Sequence, residues 1–369
     1  VLDATNLNQE TAGFIQGYKG YKDGSLRDSN PNPEAYRDAW SARFYSEASR
    51  ALGQRNTLTI TPYLRDNDLE FLQHFLPWQP VEKNAHSSLG VKTTLHSEGD
   101  QFLWANGLDM EYTDATLKET QDEDFSPNQP AGVHYDYQVD ATVVAAFSQL
   151  RSQWQSPWEL SAGLRVEYTY YDYDNRTGDG SACAPEASNC RFYRPADRDD
   201  DFSDVSANAG AGYRLNDDSL IYLRVARGFR APQATELYRL QSGQRTAELD
   251  SEELDNVELG IRGTWAQRLS YDTSVYDMRK DNVIFQDSDR QNVSGAKTRH
   301  YGLELSLDYQ LAETWQFGLD ANFSDHSYDS RIALLGSSGN IKGNDIDTAP
   351  EIFGSARLSW DFSQISGQD

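Results

Sequence analysis

Several features are scarce in this chain of 369 residues. No stretch approaches the roughly 18–20 consecutive apolar residues that cross a bilayer as a helix, so a helical membrane protein is excluded. Positive charge is short: 33 Lys and Arg stand against 58 Asp and Glu, a formal net charge of −25. Such an excess repels phosphate and argues against a nucleic-acid partner. Cysteine is limited to Cys183 and Cys190, close together in a Gly/Ser/Pro/Asn segment. A near pair in an irregular loop points to a disulfide and an oxidising compartment, with two free thiols as the alternative. No second Cys or His pair stands nearby to complete a zinc site. Enzyme signatures are missing as well. There is no G-x-S-x-G elbow, no phosphate-binding glycine loop and no HExxH, so no enzyme is expected. The opening VLDATNLNQETAG has neither an initiator Met nor an apolar leader core, and SWDFSQISGQD carries no obvious cap. Both ends read as cuts through a longer protein.

Aromatics are abundant, with 8 Trp, 21 Tyr and 15 Phe, which excludes a solvated disordered tail. The dominant pattern is alternation with period two. Tyr301, Leu303, Leu305, Leu307, Tyr309 and Leu311 interleave with Gly302, Glu304, Ser306, Asp308 and Gln310. Leu160 to Tyr170, Trp315 to Phe323, Val257 to Ile261 and Ala356 to Phe362 repeat it. In a strand this places every apolar side chain on one face. The pattern predicts about fourteen strands, near 12–22, 36–50, 55–66, 83–97, 101–115, 134–150, 156–173, 202–215, 218–229, 253–264, 267–279, 297–310, 313–326 and 349–362. Many are longer than a globular strand and match the 9–11 residues or more of a tilted membrane strand.

The connections alternate between tight turns and long loops, so every long loop emerges on one side. That is the layout of an outer-membrane barrel with short periplasmic turns, and a soluble sandwich would spread its long loops over both ends. Trp104, Trp158, Trp265, Trp315 and Trp360 all adjoin short turns and are expected to form one interfacial belt. Most prolines fall in loops; Pro62, inside a strand pattern, marks a bulge or a strand end. The fold class is therefore all-β, a transmembrane antiparallel barrel, and nothing divides residues 1–369 into further domains. The inward face carries charges of both signs, which suit a wet lumen or a polar plug rather than a dry core. The low mean hydropathy of −0.74 fits, because a barrel shows lipid only every second residue.

One region carries a family likeness. Ala226-Arg227-Gly228-Phe229-Arg230-Ala231-Pro232, then Glu236-Leu237-Tyr238, then Asn256-Val257-Glu258-Leu259-Gly260 resembles TonB-dependent outer-membrane receptors. So do the strand from Gly295 to Leu305 and the opening Ala349-Pro350-Glu351 of the last strand. The resemblance covers roughly residues 220–362; upstream it rests on hairpin rhythm alone. It implies a 22-stranded barrel filled by an N-terminal plug. The chain would then be a partial barrel domain of about 14 strands, without the plug, the TonB box and the last strands. It further implies active import of an iron chelate, most often a ferric siderophore, energised through TonB, in the outer membrane of a Gram-negative bacterium. The implied partners are outer-membrane lipid, the chain's own plug and the TonB complex, in a monomer. No resident cofactor is implied, since Fe(III)-siderophore is cargo. A passive porin and a soluble secreted adhesin are the alternatives.

Within this frame, arginine and aromatic side chains suit planar, anionic iron chelates. Trp78 and His74 in the second long loop, Tyr170, Tyr171 and Tyr173 at the rim, and Arg227, Arg230, Tyr238 and Arg239 are the candidates. Solvated-loop or girdle positions are the competing assignment for each. Arg224, Glu258, Arg262 and Glu304 are expected to form a lumen network. Gly228 and Gly302 are expected to admit a close neighbour, and Pro232 to stop its strand. Phe229-Arg230-Ala231-Pro232 is similar to a box of haem receptors, but no His occurs between His134 and His300, which disfavours haem. No two of the six histidines stand at i, i+2 or i, i+4, so no metal site is expected. The run from Asp197 to Asp201, with Asp204, reads as a solvated acidic loop, with Ca²⁺ binding as the lesser alternative.

Overall fold

The computed structural model describes residues 1–187, 189–241, 243–331 and 340–362. In chain order the strands are β1 (Leu2–Glu10), β2 (Tyr36–Tyr45), β3 (Ala48–Ala51), β4 (Asn56–Leu72), β5 (Val81–Glu98), β6 (Phe102–Gln121), β7 (Gly132–Ser152), β8 (Trp158–Asn175), β9 (Gly180–Ser181), β10 (Tyr193–Arg194), β11 (Arg198–Asn216), β12 (Ser219–Arg230), β13 (Glu252–Trp265), β14 (Leu269–Gln286), β15 (Asn292–Ala312), β16 (Trp315–Tyr328) and β17 (Ile352–Trp360). Two short helices, α1 (Gly24–Arg27) and α2 (Ala234–Tyr238), lie in loops. Fourteen strands follow one another in a single antiparallel path, β1-β2-β4-β5-β6-β7-β8-β11 and onward to β17, with β3 added against β4. The small pair β9–β10 stands apart in the loop after β8. β1 and β17 form the edges of the sheet.

The period-two pattern decides which side chains share a face. Leu223, Leu259, Val275, Leu303 and Phe323 lie opposite one another across five strands, and all are exposed. One residue along, Tyr222, Gly260, Ser274, Glu304 and Asn322 form the matching row on the other face. The first face continues through Leu64, Leu89, Leu108, Leu164 and Val205, also exposed. So large an apolar surface is incompatible with water and meets lipid, which removes a soluble adhesin. Trp104, Trp158, Trp265, Trp315 and Trp360 occupy this outer face at the short-turn end, four of them exposed. Trp315 and Trp360 pair across β16 and β17 with rings 5.1 Å apart. The belt expected from their spacing is present.

The inner face is polar and cross-linked. Arg65 donates to Glu111 at 2.6 Å, Arg165 to Asp109 at 2.7 Å, and Arg357 to Asp308 at 2.9 Å. Tyrosines lie flat against glycines of the next strand. Tyr63 is opposite Gly90, Tyr222 opposite Gly260 and Tyr276 opposite Gly302. A Cβ on Gly90 would overlap the Tyr63 ring, so the missing side chain makes room for the aromatic. Gly302 behaves as expected, since a Cβ there would lie 2.6 Å from Phe323 O. Gly228 does not: the space beside it is open, so its place in the sequence is not explained by close approach. The turn from β13 to β14 places Ala266 and Gln267 at φ of 53° and 54°, with Arg268 N donating to Trp265 O at 3.1 Å. This is a type I′ hairpin turn, whose twist suits the flanking strands.

Several boundaries differ from expectation: β4, β6 and β14 run on to Leu72, Gln121 and Gln286, past their predicted ends at 66, 115 and 279, and three further differences have a local cause. The first strand lies at Leu2–Glu10, and residues 12–22 hold no strand, only a 3-10 turn at Gly20–Lys22. The alternation there is short, and pairing of β1 with β2 fixes its place. The predicted strand at 36–50 is two strands, because the chain breaks at Ser46 and Glu47, with Ser46 N donating to Pro62 O at 3.2 Å. Pro62, which has no N–H to give, therefore sits beside the break. Residues 198–204 begin β11 rather than forming a loop. Alternation sends Asp199 and Asp201 to one face and Asp200 and Asp204 to the other. Asp200 accepts from Tyr238 Oη and Asp204 from Ser251 Oγ. Among the described residues no group of three or more His, Cys, Asp or Glu side chains stands ready for a metal ion.

The two faces make a direct prediction. Leu259→Arg puts a charge in the lipid band, and Asn322→Arg puts the same charge in the wet interior. Urea unfolding in lipid vesicles should lose about 2–4 kcal/mol for the first and within about 0.5 kcal/mol for the second. Equal losses would contradict the assignment of faces.

Candidate functional site: a recess under the long loops

The buried core of this molecule lies at the mouth of the sheet rather than in its wall. Tyr135, Tyr137, Tyr173, Leu237, Tyr238 and Leu240 are all buried, and they join Phe192 and the Cys183–Cys190 pair in one cluster. The two cysteines are bonded, with Cα atoms 5.7 Å apart. Closing a loop this short stabilises by roughly 2–3 kcal/mol in the chain-entropy account. α2 is the lid of the cluster. Its capping box, Gln233 with Glu236, starts the helix, and Pro232 ends β12 just before it. Arg230 donates to Glu236 at 2.8 Å and to Glu252 at 2.9 Å, tying the end of β12 to α2 and to the start of β13. Tyr238 stacks on Tyr173 with centroids 4.2 Å apart and donates to Asp200 at 2.7 Å. Burial, then that carboxylate, push the Tyr238 hydroxyl far above its usual range.

Beside the apolar cluster lies a buried polar group. Arg239 approaches Glu82 at 3.0 Å and also bonds Glu119, which is 1% exposed. Gln73 Nε2 donates to Glu82 at 2.8 Å. His134, equally buried, lies 2.9 Å from Glu119 through Nδ1 and 2.8 Å from Pro130 O through Nε2. Both carboxylates thus have the Arg239 guanidinium as a partner, which burial demands. Burial works against the Arg239 charge, and Glu119 and Glu82 outweigh it, holding the guanidinium above its ordinary range. His134 also stacks on Phe192, centroids 3.6 Å apart.

An open recess of about 390 Å³ lies against this group. Trp78, Arg191, Tyr135, Arg239, Gln286 and Asn292 are among its lining residues. Arg191 lies over the Trp78 ring, 4.6 Å from its centroid. Among the described residues the Arg191 guanidinium has no ion pair or hydrogen bond, and neither has that of Arg290 on the adjoining rim. Burial, then the charge of Arg290, push Arg191 below its ordinary range. Trp78 Nε1 is buried and has no acceptor among the described residues. The recess thus offers unengaged donors and an aromatic face in an otherwise acidic molecule.

The residues picked from sequence separate into groups. Trp78 and Arg239 line the recess. Tyr173 and Tyr238 lie in the packed cluster, with Tyr171 half-buried against Phe202. Arg230 is spent on its two carboxylates. Arg227 shares the outer face with Val225 and Val257 and pairs with Asp255 at 2.6 Å, so it points away from the recess. His74 packs between Phe14 and Phe75. Tyr170 is on the outer face, beside Asp199. On the inner wall Tyr222 donates to Glu258 at 2.7 Å, and Arg262 lies over the Tyr222 ring. Asn322 lies 3.5 Å from Glu304, and Arg224 lines a separate concavity with Arg262. Among the described residues these four charges form no ion pair with one another. Sequence reasoning passed over Arg191, Arg290, Tyr135, His134 and Glu119. Only the nearness of Arg191 to Cys190 hinted that it would be held in place.

The apolar outer face, the polar inner face and the strand order are those of a transmembrane barrel wall, with a donor-lined recess beneath its long loops. Residues 3–368 match the family described as TonB dependent receptor-like, beta-barrel, and the chain belongs to it. It is 24% identical over 362 residues to the ferric aerobactin receptor of Escherichia coli, covering 86% of this chain and 46% of that protein. It is 30% identical over 117 residues to the ferric-pyoverdine BN7/BN8 receptor of Pseudomonas putida, covering 31% and 14%. Among solved structures it resembles the ferric-catecholate import receptor of E. coli K12, with a TM-score of 0.65 at 14% identity, over 91% of this chain and 54% of that one. The ferric yersiniabactin uptake receptor of Yersinia pestis gives a TM-score of 0.64 at 15% identity, over 88% and 47%. The chain spans about half the length of these full-chain relatives.

Glu119→Ala should leave Arg239 and His134 buried without their shared carboxylate. We expect the loop cluster to lose about 3–5 kcal/mol of local stability. Trypsin should then cut after Arg239 while hydrogen exchange of β13 to β16 stays slow; unchanged protection of α2 would contradict the role given to Glu119.

Proposed function

We propose that this chain is the greater part of the barrel of a TonB-dependent outer-membrane receptor that imports an iron chelate, most specifically a ferric siderophore. Its fourteen strands would be an arc of a 22-stranded barrel, with further strands pairing at β1 and β17, since free sheet edges do not persist in hydrocarbon. A plug would occupy the polar inner face near Glu258, Arg262 and Glu304. TonB would supply the energy through that plug, in the outer membrane of a Gram-negative cell, and the receptor would act as a monomer. No resident cofactor is needed, because iron travels as cargo.

The observation that carries the reading is Arg191 over Trp78 at the recess, unpaired among the described residues, with Arg290 beside it. Two cations without carboxylate partners among the described residues, in a chain of net charge −25, make a local site for an anionic, partly aromatic ligand. The names of the relatives, ferric aerobactin and ferric-pyoverdine receptors, support iron chelates as that ligand. A passive channel is the weaker reading, because a packed tyrosine cluster and a disulfide loop crowd the mouth.

The test is a binding titration on the whole receptor in detergent, with ferric hydroxamate, ferric catecholate and mixed citrate–hydroxamate chelates, read by tryptophan fluorescence. One class should bind, and Arg191→Glu and Arg290→Glu should each weaken it by roughly 10–100-fold, as expected for a charge-assisted contact turned repulsive. Iron-limited growth on that chelate should fall in parallel. Binding that ignores both substitutions would overturn the site, and uptake indifferent to iron supply would overturn the function.

A further inference from the structure

The inner wall carries a row of side chains that the recess does not use. Asn256, Met278, His300 and His326 lie directly opposite one another on β13, β14, β15 and β16. They share the face of Glu258 and Glu304, since they differ from these by even numbers of residues along each strand. His300 Nδ1 and His326 Nδ1 are 2.8 Å apart. The far nitrogen of each ring has its own hydroxyl: Thr298 Oγ1 is 2.9 Å from His300 Nε2, and Ser324 Oγ is 2.9 Å from His326 Nε2. The sequence hid this pair, because the two residues meet across strands and not within one.

Two ring nitrogens in contact share one hydrogen. A hydroxyl donates or accepts, so Thr298 and Ser324 hold either tautomer. If the shared hydrogen moves so that both Nε2 atoms carry one and donate to the hydroxyls, both Nδ1 lone pairs point at the same space. No proton is lost in that exchange. Ligating histidines are held in this way, with the far nitrogen bonded to a second group that fixes the ring. The third donor is the Met278 thioether, opposite His300, with Cβ atoms at the roughly 4.5–5.5 Å of a cross-strand pair. Asn256 follows in the row, and its Oδ1 is buried without a hydrogen-bond partner among the described residues. No carboxylate stands in the row, and the nearest inward charge on β14 is Lys280, opposite Thr298.

We propose that His300, His326 and Met278 form a binding site for copper(I) on the inner wall. Two imidazoles and a thioether are a soft donor set, which favours Cu(I) over hard cations. The absence of a carboxylate and the presence of Lys280 favour a singly charged ion over a doubly charged one. Nitrogens at about 2.0–2.1 Å from a metal are roughly 3.3 Å apart at a tetrahedral angle, so the rings separate by roughly half an ångström to admit the ion. The site is distinct from the recess at Arg191 and does not depend on which chelate that recess receives.

The test is an anaerobic Cu(I) titration of the whole protein in detergent against a chromophoric Cu(I) chelator. One ion per chain should bind. His300→Gln and His326→Gln should each weaken it by about 100-fold, at or above the upper end of losses seen for outer-shell partners. Met278→Leu should weaken Cu(I) by at least about tenfold and leave Zn(II) affinity unchanged. X-ray absorption should show two nitrogens and one sulfur. Each variant must keep the heat-modifiable gel mobility of the folded barrel. No Cu(I) binding above a detergent control, binding that survives both Gln variants, or a copper shell without sulfur would overturn the proposal.

Discussion

The constraint on which everything else rests is that hydrocarbon offers no hydrogen-bond partner to a peptide group. Inside a membrane every N–H and C=O must be satisfied by the neighbouring strand. The chain answers with fourteen consecutive antiparallel strands, each bonded to the next. Pleating then divides the side chains by parity, and the sequence supplies leucine, valine and aromatics to one face and charge to the other. The inner face is where mixed charge becomes tolerable. Arg65 with Glu111 and Arg165 with Asp109 are only partly exposed, yet they face a wet interior and need not repay full desolvation.

Such a wall has no dry interior of its own, so the apolar residues that would form a core in a globular protein are used elsewhere. They gather beneath the long loops, where Tyr135, Tyr173, Tyr238 and Leu240 exclude water. The disulfide and Arg230 shape this cluster from two sides. The polar group of Glu82, Glu119, His134 and Arg239 borders it, and the recess opens against both. The unengaged donors are thus mounted on a small packed unit, which gives a loop region a fixed geometry.

The strands were legible in the sequence because their signal is local: a period of two needs only the neighbours along the chain. For the same reason the tryptophan belt and the cysteine pair could be read directly. What failed was whatever depends on register or on distant loops. The alternation around residues 12–22 was too weak to compete with the pairing that places β1 at Leu2–Glu10. The acidic run after Asp197 looked like a loop because its charge masked a continuing strand. Arg227 was chosen by residue type, and only its parity with Val225 reveals that it faces outward. Arg191 shows no sequence pattern, since its setting over Trp78, without an ion-pair partner among the described residues, depends on residues far away in sequence. His300 and His326 are 26 residues apart and meet only once β15 and β16 are in register.

The Arg239 contact also carries information about time. Its partners, Glu82 and Glu119, lie on β5 and β6, and Tyr135 on β7 reaches Leu240 O at 2.6 Å. These are among the longest-range contacts in the chain, so the entropy of closing the intervening segment must be met before they form. Neighbouring hairpins can zip by local steps, but α2 can dock only after β5 to β12 stand side by side. The loop cluster is therefore a late event in assembly, and its closure marks a wall that has already been put together in the right order.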